Sequence, residues 1–222
     1  MGSGIRELMM NTIGMDAVKR KLKFDYIKAK SDPSFKALDL IGGLLQHFLK
    51  PQLDINSMMQ DACNQIQRQF RVRYTMIGLK SLTDGLYKYE YQAGMRQEAW
   101  DNQRRRTYKR VDFDLHTQNY NASEISKITR AYLEEDNPLA TTDLTVLNRP
   151  VLHGGKRREE DDALEADFID TLIMGPYDEL LGWIEYPGTL TGKLPDAVTM
   201  RNVEIVAGVL SVALRSLGYA KQ

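Results

Sequence analysis

The stretch DFIDTLIMGPYDELLGWIEY, Asp167 to Tyr186, decides how the rest of the chain is read. Phe168, Ile169, Leu172, Ile173 and Met174 are apolar or strand-forming. Their run ends at Gly175-Pro176-Tyr177-Asp178, where proline fixes one torsion and glycine admits unusual ones. The chain turns there. Leu180 to Tyr186 resumes as a second apolar strand, and so short a connection makes the two strands antiparallel neighbours. Pro187-Gly188 and Gly192 close the hairpin. Pro195-Asp196 then starts a helix that no proline interrupts before Leu217, with Gly218 as its stop.

On a helical wheel, Glu204, Gly208, Ser211 and Arg215 share a narrow polar side of that helix. The apolar residues from Val203 to Leu217 span an arc of roughly 220°, about twice what a helix needs to cover one sheet. The surplus calls for a second partner. Val203, Val206, Leu210, Ala213 and Leu217 step by three and four residues, the spacing of a coiled-coil seam, which assigns them to a homodimer interface. Burial within the same domain is the alternative reading of the same arc.

The 222 residues suffice for one domain of roughly 150 to 170 residues with a helical extension. Lys+Arg and Asp+Glu both total 30, so global charge gives no reason to expect nucleic acid or an acidic membrane surface as partner. No uninterrupted stretch approaches the ~18 to 20 apolar residues of a membrane span, and Met1 to Lys30 lacks the apolar core of a signal peptide. A cytoplasmic location is the expectation. Cys63 stands alone, which excludes an internal disulfide and thiolate zinc sites and agrees with a reducing compartment. Gly2-Ser3-Gly4 reads as an expression-tag scar, so the chain reads as a piece excised from a longer one.

Ile5 to Lys30 predicts a helix, with Leu8, Met15 and Leu22 at seven-residue intervals as further dimer-interface candidates. Residues 1–32 form the extension on this reading and 33–218 the main domain. Ser31-Asp32-Pro33-Ser34 breaks the chain and caps a helix over Phe35 to Leu49, which Pro51 ends. Ile55 to Phe70 is the next helix, with Met58, Met59, Ala62, Cys63 and Ile66 on one face, so Cys63 reads as a core residue. Arg71 to Lys80 and Leu86 to Met95 alternate as two strands around a Thr83-Asp84-Gly85 turn, with Val72, Tyr74, Met76 and Gly78 on one side of the first. Tyr87, Tyr89 and Tyr91 fall on one face of the second. Further on, helices are predicted over Arg96 to Arg106 and Ser123 to Glu135, short strands within Tyr108 to Leu115 and Leu144 to Val151, and a solvated loop from His153 to Asp162.

Two helices, a hairpin, a variable middle, the second hairpin and a long terminal helix together resemble the GAF family over roughly Phe35 to Leu217. The apolar strand Phe168 to Met174, the Leu180-Leu181-Gly182-Trp183 strand and the following Leu194-Pro195-Asp196 carry the resemblance most specifically; PAS domains share a similar sheet. The resemblance implies an α+β sandwich, with a central antiparallel sheet, long terminal helices on one face and a ligand pocket or a degenerate one on the other. It further implies a non-catalytic sensor that homodimerises and acts on an output domain or partner absent from this chain. The pocket would be enclosed by Trp100 to Thr145, with Trp100, Tyr108, Tyr120, Ile128, Tyr132 and Thr171 as candidate ligand contacts.

No particular cofactor is indicated. His47, His116 and His153 have no ligand spacing, so no metal site is assigned. Cys63 lies outside the implied pocket, where a covalent bilin does not fit, and the cyclic-nucleotide residue set of GAF domains is not recognisable. Nucleophile elbows, phosphate loops and zinc-protease helices are missing, and no catalytic residue is assigned. His153-Gly154-Gly155-Lys156 reads as a turn rather than an anion cradle. Two alternatives stand beside the sensor reading. One is nucleic-acid binding through the basic run Arg104-Arg105-Arg106, Lys109 and Arg110, flanked by Trp100 and Tyr108. The other is methionine-sulfoxide reduction, for which Cys63 is a poor match.

Overall fold

The structure, a computed structural model, describes residues 14–29, 33–117 and 120–219. The chain divides into two compact units, Met1–Leu38 and Asp39–Gln222. In the first, helix α1 (Met15–Ala29) carries Asp16 in its first turn and Lys28 in its last, which suits the helix dipole. None of its residues is buried, and Met15 and Leu22 are 71% and 65% exposed. Leu8 lies outside the described residues. The Tyr26 and Phe35 rings meet edge to face at 5.4 Å. Helix α2 (Pro33–Leu45) begins with proline, where a missing N–H costs nothing, and the expected last turn, Gln46–Leu49, tightens into a 3-10 helix.

The second unit is built on one six-stranded antiparallel sheet. Its strands are β1 (Thr75–Lys80), β2 (Tyr87–Ala93), β3 (Ser123–Glu124), β4 (Thr129–Tyr132), β5 (Phe168–Met174) and β6 (Leu180–Pro187), in the spatial order β2-β1-β6-β5-β4-β3. The β5–β6 hairpin therefore occupies the centre, which is why both strands read as near-continuous apolar runs. At its turn the positive φ values fall on Tyr177 and Asp178, at 56° and 58°, and Gly175 stays in the extended region. The expected use of Gly175 is thus corrected; two non-glycine residues take the left-handed conformation a tight hairpin requires.

One face of the sheet is covered by α3 (Ile55–Gln69) and α5 (Ala197–Ser216). Asp54 caps α3 through Ser57 N at 3.1 Å, and Asp196 caps α5 through Thr199 N at 2.7 Å. Met58, Ala62 and Ile66 of α3 and Val203, Val206, Leu210 and Ala213 of α5 join Ile77, Ile169, Ile173 and Ile184 in one core. Cys63 is buried there as expected, and burial pushes its thiol pKa up, away from thiolate chemistry. By length and composition alone α5 is apolar enough to cross a membrane, a match the residue-by-residue reading missed. Its apolar stripe is occupied by this core.

The other face carries a second core centred on Trp183, whose ring lies 4.7 Å from Tyr89, 4.9 Å from Phe113 and 5.7 Å from Tyr108. Helix α4 (Gln97–Gln103) adds Trp100. The tyrosine stripe of β2 divides between the faces. Ile77 pairs with Tyr91 and Gly78 with Tyr89, so Glu90 is an extra residue, and this bulge turns Tyr91 to the helix side, where its hydroxyl donates to Asn56 Oδ1 at 2.5 Å. Tyr87 and Tyr89 remain with Trp183. Val72, expected beside Tyr74 and Met76, belongs to the helix-side core.

The middle of the chain departs furthest from expectation. Ser123 to Glu135 is a hairpin, β3 and β4, rather than a helix. Ser126 Oγ accepts from Ile128 N and Thr129 N at 3.3 and 3.1 Å, and that local turn competes with helix formation. Tyr108 makes only an isolated bridge to Tyr87 before a 3-10 turn, Arg110–Phe113, and the expected strand at 144–151 is two 3-10 turns, Thr141–Val146 and Pro150–Leu152. The 153–162 loop is tied down. Arg157 pairs with Asp167 and Glu135, each at about 3 Å, and Glu134 accepts from Gly154 N at 2.7 Å and from Ala166 N at 2.8 Å. Buried Glu165 likewise holds Arg73 and Arg149.

Gly78 pairs with Trp183 across β1 and β6, and a Cβ built on it falls inside the indole. Gly78→Ala must push the ring out of its cluster. Urea denaturation is expected to show a loss of about 1–3 kcal/mol or more, the cost of overpacking a filled core.

Candidate functional site

Alternation along the central strands decides which side chains meet beneath the 104–117 and 120–166 segments. On β5, Phe168, Asp170, Leu172 and Met174 point away from the helices, and on β6 so do Trp183 and Glu185. Asp170 pairs directly with Glu185 across the two strands, and Arg130 of β4 pairs with Asp170 on its other side. One row across the sheet thus reads Arg130, Asp170, Glu185. Both acids line a cavity of about 70 Å³ walled by aromatic rings, among them Tyr74, Tyr108, Tyr120, Tyr132 and Trp183. That volume is small beside the ~300–1,000 Å³ of drug-sized ligand pockets, so the space suits a small guest.

The polar groups around the cavity are incompletely paired. Asp170 is 5% exposed, and its Oδ1 has no hydrogen-bond partner; Gln103 Oε1, also in the wall, has none either. Glu185 accepts a short hydrogen bond from the Tyr89 hydroxyl. Among the described residues neither acid forms an ion pair. Burial pushes the Glu185 carboxyl up to about 7, against the Tyr89 hydrogen bond and the Arg106 charge, which favour the ionised form. Asp170 is raised by burial first and by the facing Glu185 second, with Arg130 opposing. Two acids directly opposite in a sheet repel, and one proton between them relieves that repulsion. Arg106, paired with Asp143 at 3.5 Å, closes the rim beside Tyr108 and Tyr120.

Of the six expected ligand contacts, Tyr108, Tyr120 and Tyr132 line the cavity. Trp100 and Ile128 pack into the adjoining Trp183 core without reaching the cavity wall. Thr171 lies on the opposite face, bonded to Thr129 Oγ1 at 3.3 Å and to the Tyr186 hydroxyl at 3.1 Å, because it is one residue out of phase with Asp170. Asp170, Glu185, Tyr74, Tyr89 and Trp183 were not expected as cavity residues, and Arg106 was expected only within the basic run. A signal for the acids was present: each is a lone charge inside an apolar strand at the centre of the sheet.

The expected dimer seam is also corrected. Val203, Val206, Leu210 and Ala213 are at most 1% exposed and face their own sheet, so a second copy cannot reach them; Leu217 is 41% exposed. Of the wheel's polar side, Gly208 and Arg215 are exposed, but Glu204 and Ser211 reach the sheet side. Glu204 accepts from Thr129 Oγ1 at 2.9 Å and from Ser126 Oγ, and Ser211 donates to the Met174 carbonyl at 2.6 Å. The basic run is split, with Arg106 turned to the cavity rim and Arg110 paired with Asp114 at 3.1 Å. The three histidines take separate partners, His47 with Asp61, His116 with Asn121 and His153 with Glu134. Exposed Glu159 and Asp161 and half-buried Asp162 converge, but on the Lys193 ammonium at 2.5 to 2.9 Å.

No family model matches the sequence, and no curated protein matches it either. Solved structures do. The chain is similar to the GAF domain of A. aeolicus nlh2 in an inactive state, at TM-score 0.52 and 8% identity over 83% of this chain and 99% of that one. Further matches are a GAF domain from an Acinetobacter phosphoenolpyruvate-protein phosphotransferase (TM-score 0.49, 10% identity, 83% and 96% covered) and the phycoerythrobilin-bound GAF domain of a cyanobacterial phytochrome (0.46, 9%, 82% and 94%). The protein has the fold of a GAF domain, an α+β architecture in which the sheet separates a helical layer from the cavity.

The raised Glu185 value has a definite sign in stability. Between the ordinary glutamate value of 4.5 and about 7, the native state holds a proton that the unfolded chain has released. This group therefore favours folding at the acid end and loses that contribution as pH rises, by at most about 1.4 kcal/mol per unit. Glu185→Gln keeps an acceptor for Tyr89 and removes the titration. Urea denaturation from about pH 5 to about pH 8 is expected to show a flatter profile for the variant, which overtakes the parent at the alkaline end.

Proposed function

We propose that the chain is a non-catalytic regulatory domain that binds a small molecule in the aromatic cavity and passes that event to a partner or output domain outside this chain. The observation that carries the reading is a built but unsatisfied site: Asp170 Oδ1 and Gln103 Oε1 are buried in the cavity wall without partners. Folded proteins pair such groups almost without exception, with protein, water or ligand, so two orphaned acceptors in one cavity wall favour an occupant there. The GAF fold supports a sensing role by analogy of architecture only. The protein's lone cysteine fits a reducing compartment, so the cytoplasm is the proposed setting.

Native mass spectrometry of the purified protein tests the binding claim. A discrete mass excess, lost on unfolding, is expected. A bare chain mass in repeated preparations, with no thermal shift across a metabolite panel, overturns it.

Homodimerisation belongs to the same proposal, through a different stripe from the one the wheel suggested. Val198, Ile205 and Val212 of α5 recur every seven residues and are 51%, 42% and 55% exposed. Sedimentation is expected to show a dimer that Ile205→Lys dissociates without loss of helicity. A parent protein that is monomeric at tens of micromolar, an ordinary range for weak association, removes the dimer from the reading.

A further inference from the structure

We propose that the cavity takes a small organic cation, a planar amidinium or compact ammonium group seated between the aromatic rings and the Asp170–Glu185 pair. This rests on the reading of the cavity as a ligand site and names the class of ligand. Three observations converge on it. First, both acids sit on neighbouring central strands, and among the described residues neither forms an ion pair, although Arg130 stands opposite Asp170 on β4. Second, two acceptors in the cavity wall are left open, Asp170 Oδ1 on a carboxylate and Gln103 Oε1, while the neighbouring Arg130 Nη1, a buried donor without a hydrogen-bond partner, lies outside that wall. Two unpaired acceptors ask for a ligand that donates. Third, the walls are aromatic faces, the surface that favours a cation after it has lost its water.

An anion finds the reverse. It would meet two buried acids, and the cation at the rim, Arg106, is already engaged by Asp143 at 3.5 Å. A neutral amide could donate to one acceptor but would add no charge to the partial compensation that Arg130 and Arg106 give the acids. The cavity volume of about 70 Å³ limits the seated group to a few heavy atoms.

Seating a cation strips the proton that the acid pair holds near neutrality, and that proton leaves to solvent. The titratable and charged groups around the pair are Arg130 and Tyr132 from β4, Tyr89 from β2, Tyr74 from β1 and Arg106, Tyr108, Asp112 and Tyr120 from the segment above. Burial pushes the hydroxyls of Tyr74, Tyr89, Tyr108, Tyr120 and Tyr132 upward, so among these groups it is Glu185, pushed up to about 7, that titrates near neutrality. Cation affinity therefore rises as pH passes through that value.

Acetamidinium, acetamide and acetate share one planar shape and carry charges of plus one, zero and minus one. Each is titrated into the full chain while the Trp183 indole N–H resonance is followed by NMR, with Trp100→Phe used for assignment. Saturable shifts with acetamidinium, at least about tenfold tighter than with the other two and tighter at higher pH, are expected, since hydrogen bonds to charged groups are worth that factor. Asp170→Asn, which keeps the shape and relieves the repulsion, is expected to remove the preference and leave the fold intact. If acetamide or acetate binds as tightly, the cation class is overturned and the ligand-cavity reading survives. If none of the three moves the resonance, both fall. A preference retained in both Asp170→Asn and Glu185→Gln overturns the assignment to the acid pair.

Discussion

The Trp183 indole rests on β1 where Gly78 presents no side chain, and the cavity side of the sheet is organised around that contact. Tyr87, Tyr89, Tyr108 and Phe113 all meet the indole, so one residue of β6 gathers rings from β2 and from the segment after α4. Truncating a buried aromatic of this size typically costs about 3–5 kcal/mol, a large share of the ~5–15 kcal/mol by which a domain is stable. That packing is the reserve against which two buried acids are tolerated. Without the ring cluster, nothing would hold Asp170 and Glu185 out of water at such close quarters.

The fold was legible wherever local chemistry and tertiary context agreed. The β5–β6 hairpin, α3 and α5 each carry a turn or cap signal together with a periodicity that their burial requires. Ser123 to Tyr132 misleads because Ile125, Ile128 and Tyr132 happen to step by three and four. The residues that decide are Ser126, which closes a turn on Ile128 and Thr129, and β5, which supplies an edge for β4 to join. That edge lies about forty residues away in sequence, outside any local window. The wide apolar arc of α5 misled in another way. Its spacing fits a coiled coil and a sheet-covering helix equally, and only the position of the sheet separates the two.

The site was legible in its aromatic half. Tyr108, Tyr120 and Tyr132 announced themselves as large residues in the variable middle, whereas Asp170 and Glu185 were hidden inside the strands that had secured the fold. Finding them requires knowing that both strands are central, so that a charge on either face is buried. The Glu90 bulge shows a related limit. One extra residue moves Tyr91 to the opposite side of the sheet, and nothing in the alternation of tyrosines marks where it falls.

Successive residues of one strand serve the two sides of the sheet. Asp170 reaches into the cavity. Thr171, the next residue, bonds to Thr129, whose hydroxyl reaches Glu204 on α5. Leu172 N then donates to the Ile128 carbonyl at 2.7 Å, fastening β5 to the turn that Ser126 closes. The cavity and α5 are thus linked through one peptide unit of β5 and two successive side-chain hydrogen bonds. The strand position that carries the buried acid is the neighbour of the one that anchors the hydroxyl bridge to α5.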